Sequence, residues 1–144
     1  MALLAVGMTA CMRPTQAVME DVNPYGWHSE VAIEVPNGDT VTLRDLYLAL
    51  RTNRRFRADS LAVTIQLLTP DSCHYSEQVN FCLKHHRSPA ALRTIHELPY
   101  RRWAKFDRIG TYTLRITPLK EQEGIEAVGI NIIKSEENPA REQE

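Results

Sequence analysis

The stretch Phe106-Asp-Arg-Ile-Gly-Thr-Tyr-Thr-Leu-Arg-Ile-Thr-Pro118, followed after a polar turn by Gly124-Ile-Glu-Ala-Val-Gly-Ile-Asn-Ile-Ile133, decides the fold class. In an extended chain Tyr112, Leu114 and Ile116 point to one side and Thr111, Thr113, Arg115 and Thr117 to the other, the period-two pattern of a half-buried strand. The second run supplies a matching apolar face from Ile125, Val128, Ile130 and Ile132. Gly110, Gly124 and Gly129 are expected where a strand begins or another backbone comes close, because only glycine offers that freedom and that space.

Working outward, the same alternation recurs. Val31, Ile33 and Val35 alternate with Ala32 and Glu34, and Pro36-Asn37-Gly38-Asp39 predicts a turn. Leu46, Leu48 and Leu50 predict a strand with Tyr47, Ala49 and Arg51 outside. Leu61, Val63, Ile65 and Leu67 form the most regular strand, and Val79, Phe81 and Leu83 form the next. Around Arg87 to Lys105 the pattern weakens, so that a short helical turn at Ala90 to Arg93 and a strand from Leu92 to Leu98 are both compatible with the residues. Tyr25-Gly26-Trp27 opens the domain, and Trp103 either belongs to a contact surface with its basic neighbours or caps the core beside Phe106. Short alternating strands separated by turn signals predict an all-β fold, a single antiparallel β-sandwich of about seven to nine strands, jelly-roll or immunoglobulin-like.

With 144 residues the chain is long enough for one domain to bury a core without metal or disulfide support. Its formal net charge of −1, with both signs spread along the chain, favours neither nucleic acid nor an anionic surface as partner. Two basic clusters stand out as a candidate interaction surface: Arg51, Arg54, Arg55 and Arg57, and Tyr100, Arg101, Arg102 and Trp103. Charges of the first kind also serve to discourage edge-to-edge pairing. His74, His85, His86 and His96 match no zinc spacing, and adjacent histidines on a strand face opposite ways, so no metal is assigned. Cys73 and Cys82 either close a small disulfide loop or stand as free thiols.

The amino end reads differently. Ala2 to Ala10 is a short apolar run ending in Met8-Thr9-Ala10-Cys11, which resembles a bacterial lipobox, with Cys11 as the lipid-attachment residue. Acyl chains there would anchor the protein through about 0.8 kcal/mol per buried methylene. With no Lys or Arg before Arg13, the true start is expected upstream. The organisation expected is a signal-peptide remnant at 1–10, a tether at 11–24, the sandwich at 25–134 and a disordered tail at 135–144.

Nearly the whole chain resembles one family. The lipobox-like end at Cys11, the run Leu48-Ala49-Leu50-Arg51-Thr52-Asn53 followed by Phe56 and Leu61, and the closing elements Phe106, Gly110-Thr111-Tyr112, Gly124-Ile125 and Val128-Gly129-Ile130 are similar to the gliding-motility-associated lipoproteins of the GldH family of Bacteroidetes. Ser60, Leu119-Lys120, Gln122 and the basic surroundings of Trp103 depart from the family pattern and mark a divergent member. The resemblance implies a lipoprotein of the outer membrane, facing the periplasm, associated with gliding motility and type IX secretion. Its partners would be other envelope lipoproteins or proteins of that machinery, with the membrane reached through the lipid anchor.

No nucleophile beside a base, no paired carboxylates and no phosphate loop is signalled at local spacing. The expected role is therefore structural: a non-catalytic interaction component, not an enzyme, with no cofactor and no nucleic acid. A carbohydrate- or ligand-binding sandwich is the alternative, and a hydrolase with a site assembled by the fold is the third. Two or three coplanar rings on one face would favour a sugar platform, whereas Trp and Tyr set beside arginines would favour a protein interface.

Overall fold

A computed structural model describes residues 16–83 and 91–136. Among the described residues eight strands follow in order: β1 (Gln16–Asp21), β2 (Val31–Asn37), β3 (Leu43–Asn53), β4 (Ser60–Leu68), β5 (His74–Cys82), β6 (Arg93–Lys105), β7 (Gly110–Pro118) and β8 (Ile125–Lys134). They form two antiparallel four-stranded sheets, β1-β8-β3-β6 and β2-β7-β4-β5. Only β4 and β5 are joined as a hairpin within one sheet, and every other connection passes to the opposite sheet. That order is a jelly roll of eight strands, which resolves the choice left open by the alternation alone. No helix among the described residues is long and apolar enough to cross a membrane.

The core lies between the sheets and is built by the alternating residues. Leu46, Leu48, Leu50, Leu98, Val128, Ile130 and Ile132 come from one sheet, and Val31, Ile33, Val35, Leu61, Val63, Ile65, Leu114 and Ile116 from the other, all buried. Trp27 closes one end. It is buried, its backbone exchanges two hydrogen bonds with Gln122 at 2.8 and 2.9 Å, and its indole N–H donates to Ser29 O at 2.8 Å. Phe106 and Tyr112 meet edge to face at 4.9 Å near the other end.

Several expectations change. The segment expected to be a tether, 11–24, contains β1, whose pairing with β8 runs from Gln16↔Ile132 to Asp21↔Ala127. Its residues need no strong alternation of their own, because Gly129 lets the β1 backbone lie directly against β8: a Cβ there would meet Val18 O at 2.0 Å. The turn expected at Pro36 to Asp39 begins later, since β2 continues to Asn37. The buried Asn37 amide donates to Phe106 O at 3.2 Å and Arg108 O at 2.7 Å, fastening the loop before β7. Ala49, expected outside, is buried on the outer face, where Asn131 Nδ2 reaches across β3 to Glu97 Oε1 at 2.9 Å. Arg93 to Leu98 is strand and not helix, part of a β6 that runs 13 residues.

The two cysteines bracket β5 and cannot join. Nine residues of extended chain place their backbones roughly 30 Å apart, against the 4.4–6.8 Å span of a disulfide, roughly. Both are free and exposed. Spacing along the sequence suggested a small loop, but strand geometry stretches that loop straight. Cys11, His85 and His86 lie outside the described residues, as do all but the first two residues of the expected tail.

Candidate interaction edge between β5 and β6

β6 is where the sheet departs most from regularity. Arg44 pairs with Ala104, Leu46 with Arg101 and Tyr47 with Pro99, so β6 carries one extra residue on each of two consecutive steps. These are two β-bulges, and each leaves an unpaired residue that bends the strand. Their effect is to turn three successive side chains, Arg101, Arg102 and Trp103, toward solvent. Trp103 has φ of 53°, a left-handed conformation that costs a bulky residue roughly 1–3 kcal/mol and persists only when the surroundings impose it. The buried carboxylate of Asp45 imposes it, accepting the Trp103 N–H at 2.9 Å and the Ser135 hydroxyl at 2.6 Å.

Trp103 therefore does not cap the core. Trp103 is 41% exposed, and the Arg102 guanidinium lies over its ring at 4.8 Å. Beside it Arg101 lies over the Tyr100 ring at 4.7 Å and pairs with Glu77 of β5. Glu77 also accepts the Tyr100 hydroxyl, so one carboxylate on the edge of one sheet ties down two side chains on the edge of the other. The bond from Tyr100, then the Arg101 bond and charge, holds the Glu77 carboxyl below its ordinary range. Conversely, burial and then the Glu77 carboxylate push the Tyr100 phenol well above its own. A phenol so held is a fixed donor, the opposite of an activated base.

Above this bridge a groove of about 500 Å³ opens between the sheets. Leu67, Ala104, Phe106 and Leu114 give it an apolar floor, and Tyr75, 61% exposed, stands at its mouth with Lys105 and Asp107. The size and the apolar lining with a few polar groups suit a side chain or a small ligand.

The first basic cluster lies elsewhere. Arg51 pairs across β3 and β6 with Ile95, whereas Arg101 pairs with Leu46; five residues of strand separate them, about 17 Å at ~3.4 Å each. Arg51 is bound to Asp21 at 2.9 Å and Glu126 at 3.4 Å, Arg93 joins Glu126 at 2.9 Å, and Arg55 pairs with Glu123 at 3.2 Å while covering Tyr25 at 5.0 Å. Arg54 and Arg57 are exposed at the turn. The apparent basic patch is thus a mixed-charge seam that fastens the β3–β4 turn to β1 and β8. The structure brings the two clusters to opposite ends of one sheet and does not merge them.

His74 is exposed at the start of β5, and His96 is buried with its Nε2 2.9 Å from Thr52 Oγ1. Among the described residues no group of three His, Cys, Asp or Glu is placed to hold a metal. Sequence reading missed Asp45, Tyr75, Glu77 and Lys105. The available signals were an acid inside an apolar strand at Asp45 and a single acid in an otherwise uncharged run at Glu77.

No family model matches the chain, and no curated protein matches its sequence. Among solved structures it is similar to one of the infectious bursal disease virus Gx strain, at 12% identity and TM-score 0.39, and to the infectious bursal disease virus VP2 subviral particle, at 14% identity and TM-score 0.42. Each likeness covers 92% of this chain, which spans 37% of the length of either viral chain.

Proposed function

We propose that this protein is a non-catalytic binding module of a bacterial envelope complex, and that it docks a partner protein on the bulged β6 edge. The observation that carries this reading is Trp103, exposed, held at φ 53° by Asp45 and covered by Arg102. Backbone strain kept at an exposed aromatic is a recurrent mark of a recognition surface, and Trp, Tyr and Arg are the residues that dominate protein interfaces. Tyr25, Tyr100 and Trp103 each have an arginine over the ring.

In this reading Cys11 carries the lipid anchor, the module sits at the outer membrane facing the periplasm, and the partner belongs to a gliding-motility or type IX secretion assembly. The resemblance to GldH lipoproteins supports that address. Two experiments test it. Crosslinking in the native envelope captures a protein partner with the wild type and loses it with Trp103→Ala at unchanged thermal stability; capture that persists undiminished refutes the docking surface. Fatty-acid labelling that is absent, or that survives Cys11→Ala, refutes the anchor.

A ligand-binding module is the second reading, favoured by the groove of about 500 Å³. Ala104→Trp fills that groove without touching the Trp103 backbone contact, so it abolishes binding of a small molecule and spares a partner held on Arg102 and Trp103.

A further inference from the structure

The four outer strands of the sandwich are not equally protected against pairing with another chain. An edge is normally blunted by brevity, proline, bulges or charge. β1 ends in Glu20-Asp21, β2 contains Pro36, and β6 contains Pro99, two bulges and four basic residues. β5 has no bulge and no basic residue, and its single charge is already paired with Arg101. It runs nine residues without proline, glycine, lysine or arginine, in unbroken register with β4 from Ser60↔Cys82 to Leu68↔His74. Its one carboxylate, Glu77, is drawn inward by Tyr100 and Arg101. No strand among the described residues lies on its outer side.

We infer that β5 is the interface for a second copy of this chain, added antiparallel about a two-fold axis through Gln78. The two β2-β7-β4-β5 sheets then become one continuous sheet. β5 is self-complementary in that register. On the inner face Tyr75 stands opposite the partner's Phe81, an aromatic cross-strand pair, and Glu77 stands opposite the partner's Val79, so no two carboxylates meet. On the outer face Ser76 stands opposite the partner's Asn80, and Gln78 opposite the partner's Gln78, a row of uncharged groups. Sliding the strands two residues toward the amino end would set Glu77 against the partner's Glu77 and lose this match.

The groove adds a second reason. It opens along the same edge, with Tyr75 at its mouth. A strand laid roughly 4.8 Å outside β5 shields that ring and the mouth of the groove from water, so the contact buries apolar surface as well as completing the backbone ladder. The interface is separate from Trp103, and its failure would leave the docking reading on β6 standing.

Sedimentation velocity of the purified protein over a wide concentration range tests the inference. The wild type shifts from monomer to dimer as concentration rises. Gln78→Lys and Gln78→Glu each lose the dimer, because like charges then meet on the axis, and an equimolar mixture of the two recovers it as a heterodimer. Gln78 is exposed, so at concentrations where the wild type is monomeric both variants keep its circular dichroism and melting temperature. A wild type that stays monomeric at every concentration overturns the proposal. So does a dimer that survives both charge variants, or a mixture that fails to recover one.

Discussion

Gly124 offers the sharpest test of how the β3–β4 turn is held. It lies at φ 87°, where an L residue is strained, and a Cβ built on it would sit 2.1 Å from Phe56 N and 2.7 Å from Arg55 C and Phe56 Cα. These are backbone atoms, which cannot swing aside as a side-chain tip can. Gly124 is also fixed from both sides, since its N–H donates to Pro24 O at 2.8 Å and its carbonyl accepts the Asn53 N–H at 2.9 Å. Replacing it with alanine adds about 1–3 kcal/mol of backbone strain, and the retreat of the 55–56 segment endangers two hydrogen bonds of ~1 kcal/mol each. The expected loss is about 3–5 kcal/mol, a large fraction of the stability of an ordinary domain, or about 10–16 °C in melting temperature. Urea denaturation with a calorimetric melt measures it. Gly38→Ala is the control: nothing lies within 4 Å of its Cβ, and its φ is outside the left-handed region. That change should be neutral or stabilise by up to ~1 kcal/mol through the unfolded chain. If Gly124→Ala costs under ~1 kcal/mol, or if the two variants behave alike, the close-approach argument fails.

Other outcomes follow from the same geometry. The Asp39 carboxyl is held down at about 2 by the Thr42 hydroxyl and then by the amides of Val41 and Thr42. Its folded pKa lies below the ordinary 3.8, so its contribution is complete above that pH and is lost as pH falls toward 2. Melting temperatures measured down to about pH 2 should fall less steeply for Asp39→Asn than for the wild type, and parallel curves would contradict the assignment. Cys73 and Cys82 should both react with a maleimide in the native protein, and a reductant should leave the melting temperature unchanged; a reductant-dependent drop would show a bridge that the length of β5 forbids. Leu48→Ala, at a fully buried position on a central strand, should cost about 2–5 kcal/mol, measurable by the same urea titration, and a cost under ~1 kcal/mol would mean the site collapses around the loss.

Fold class was legible because alternation is a local property. Tyr112, Leu114 and Ile116, or Leu61, Val63 and Ile65, declare an inner face to anyone reading every second residue, and all six are buried. β6 was less legible, because two bulges near its end move residues out of phase and Pro99 interrupts the pattern. β1 was missed for a different reason. What makes it a strand is Gly129 of β8, more than a hundred residues away along the chain, which clears space for its backbone.

The candidate site was legible only in part. Arginines beside aromatics at Tyr100 to Trp103 could be seen, but not that Asp45 holds Trp103 outward, nor that Glu77 reaches from the other sheet to Tyr100 and Arg101. In the similar-looking cluster at Arg51 to Arg57, Arg51 and Arg55 turned out to be paired with Asp21, Glu123 and Glu126. Side-chain type and spacing by themselves determined that this chain makes strands, which faces are apolar and where charge is concentrated, since those depend on neighbours one or two residues away. Which strands became neighbours, which charges were neutralised, and which edge stayed open were decided by tertiary structure alone. Each depends on groups that only the strand order β1-β8-β3-β6 and β2-β7-β4-β5 brings within a few ångströms of one another.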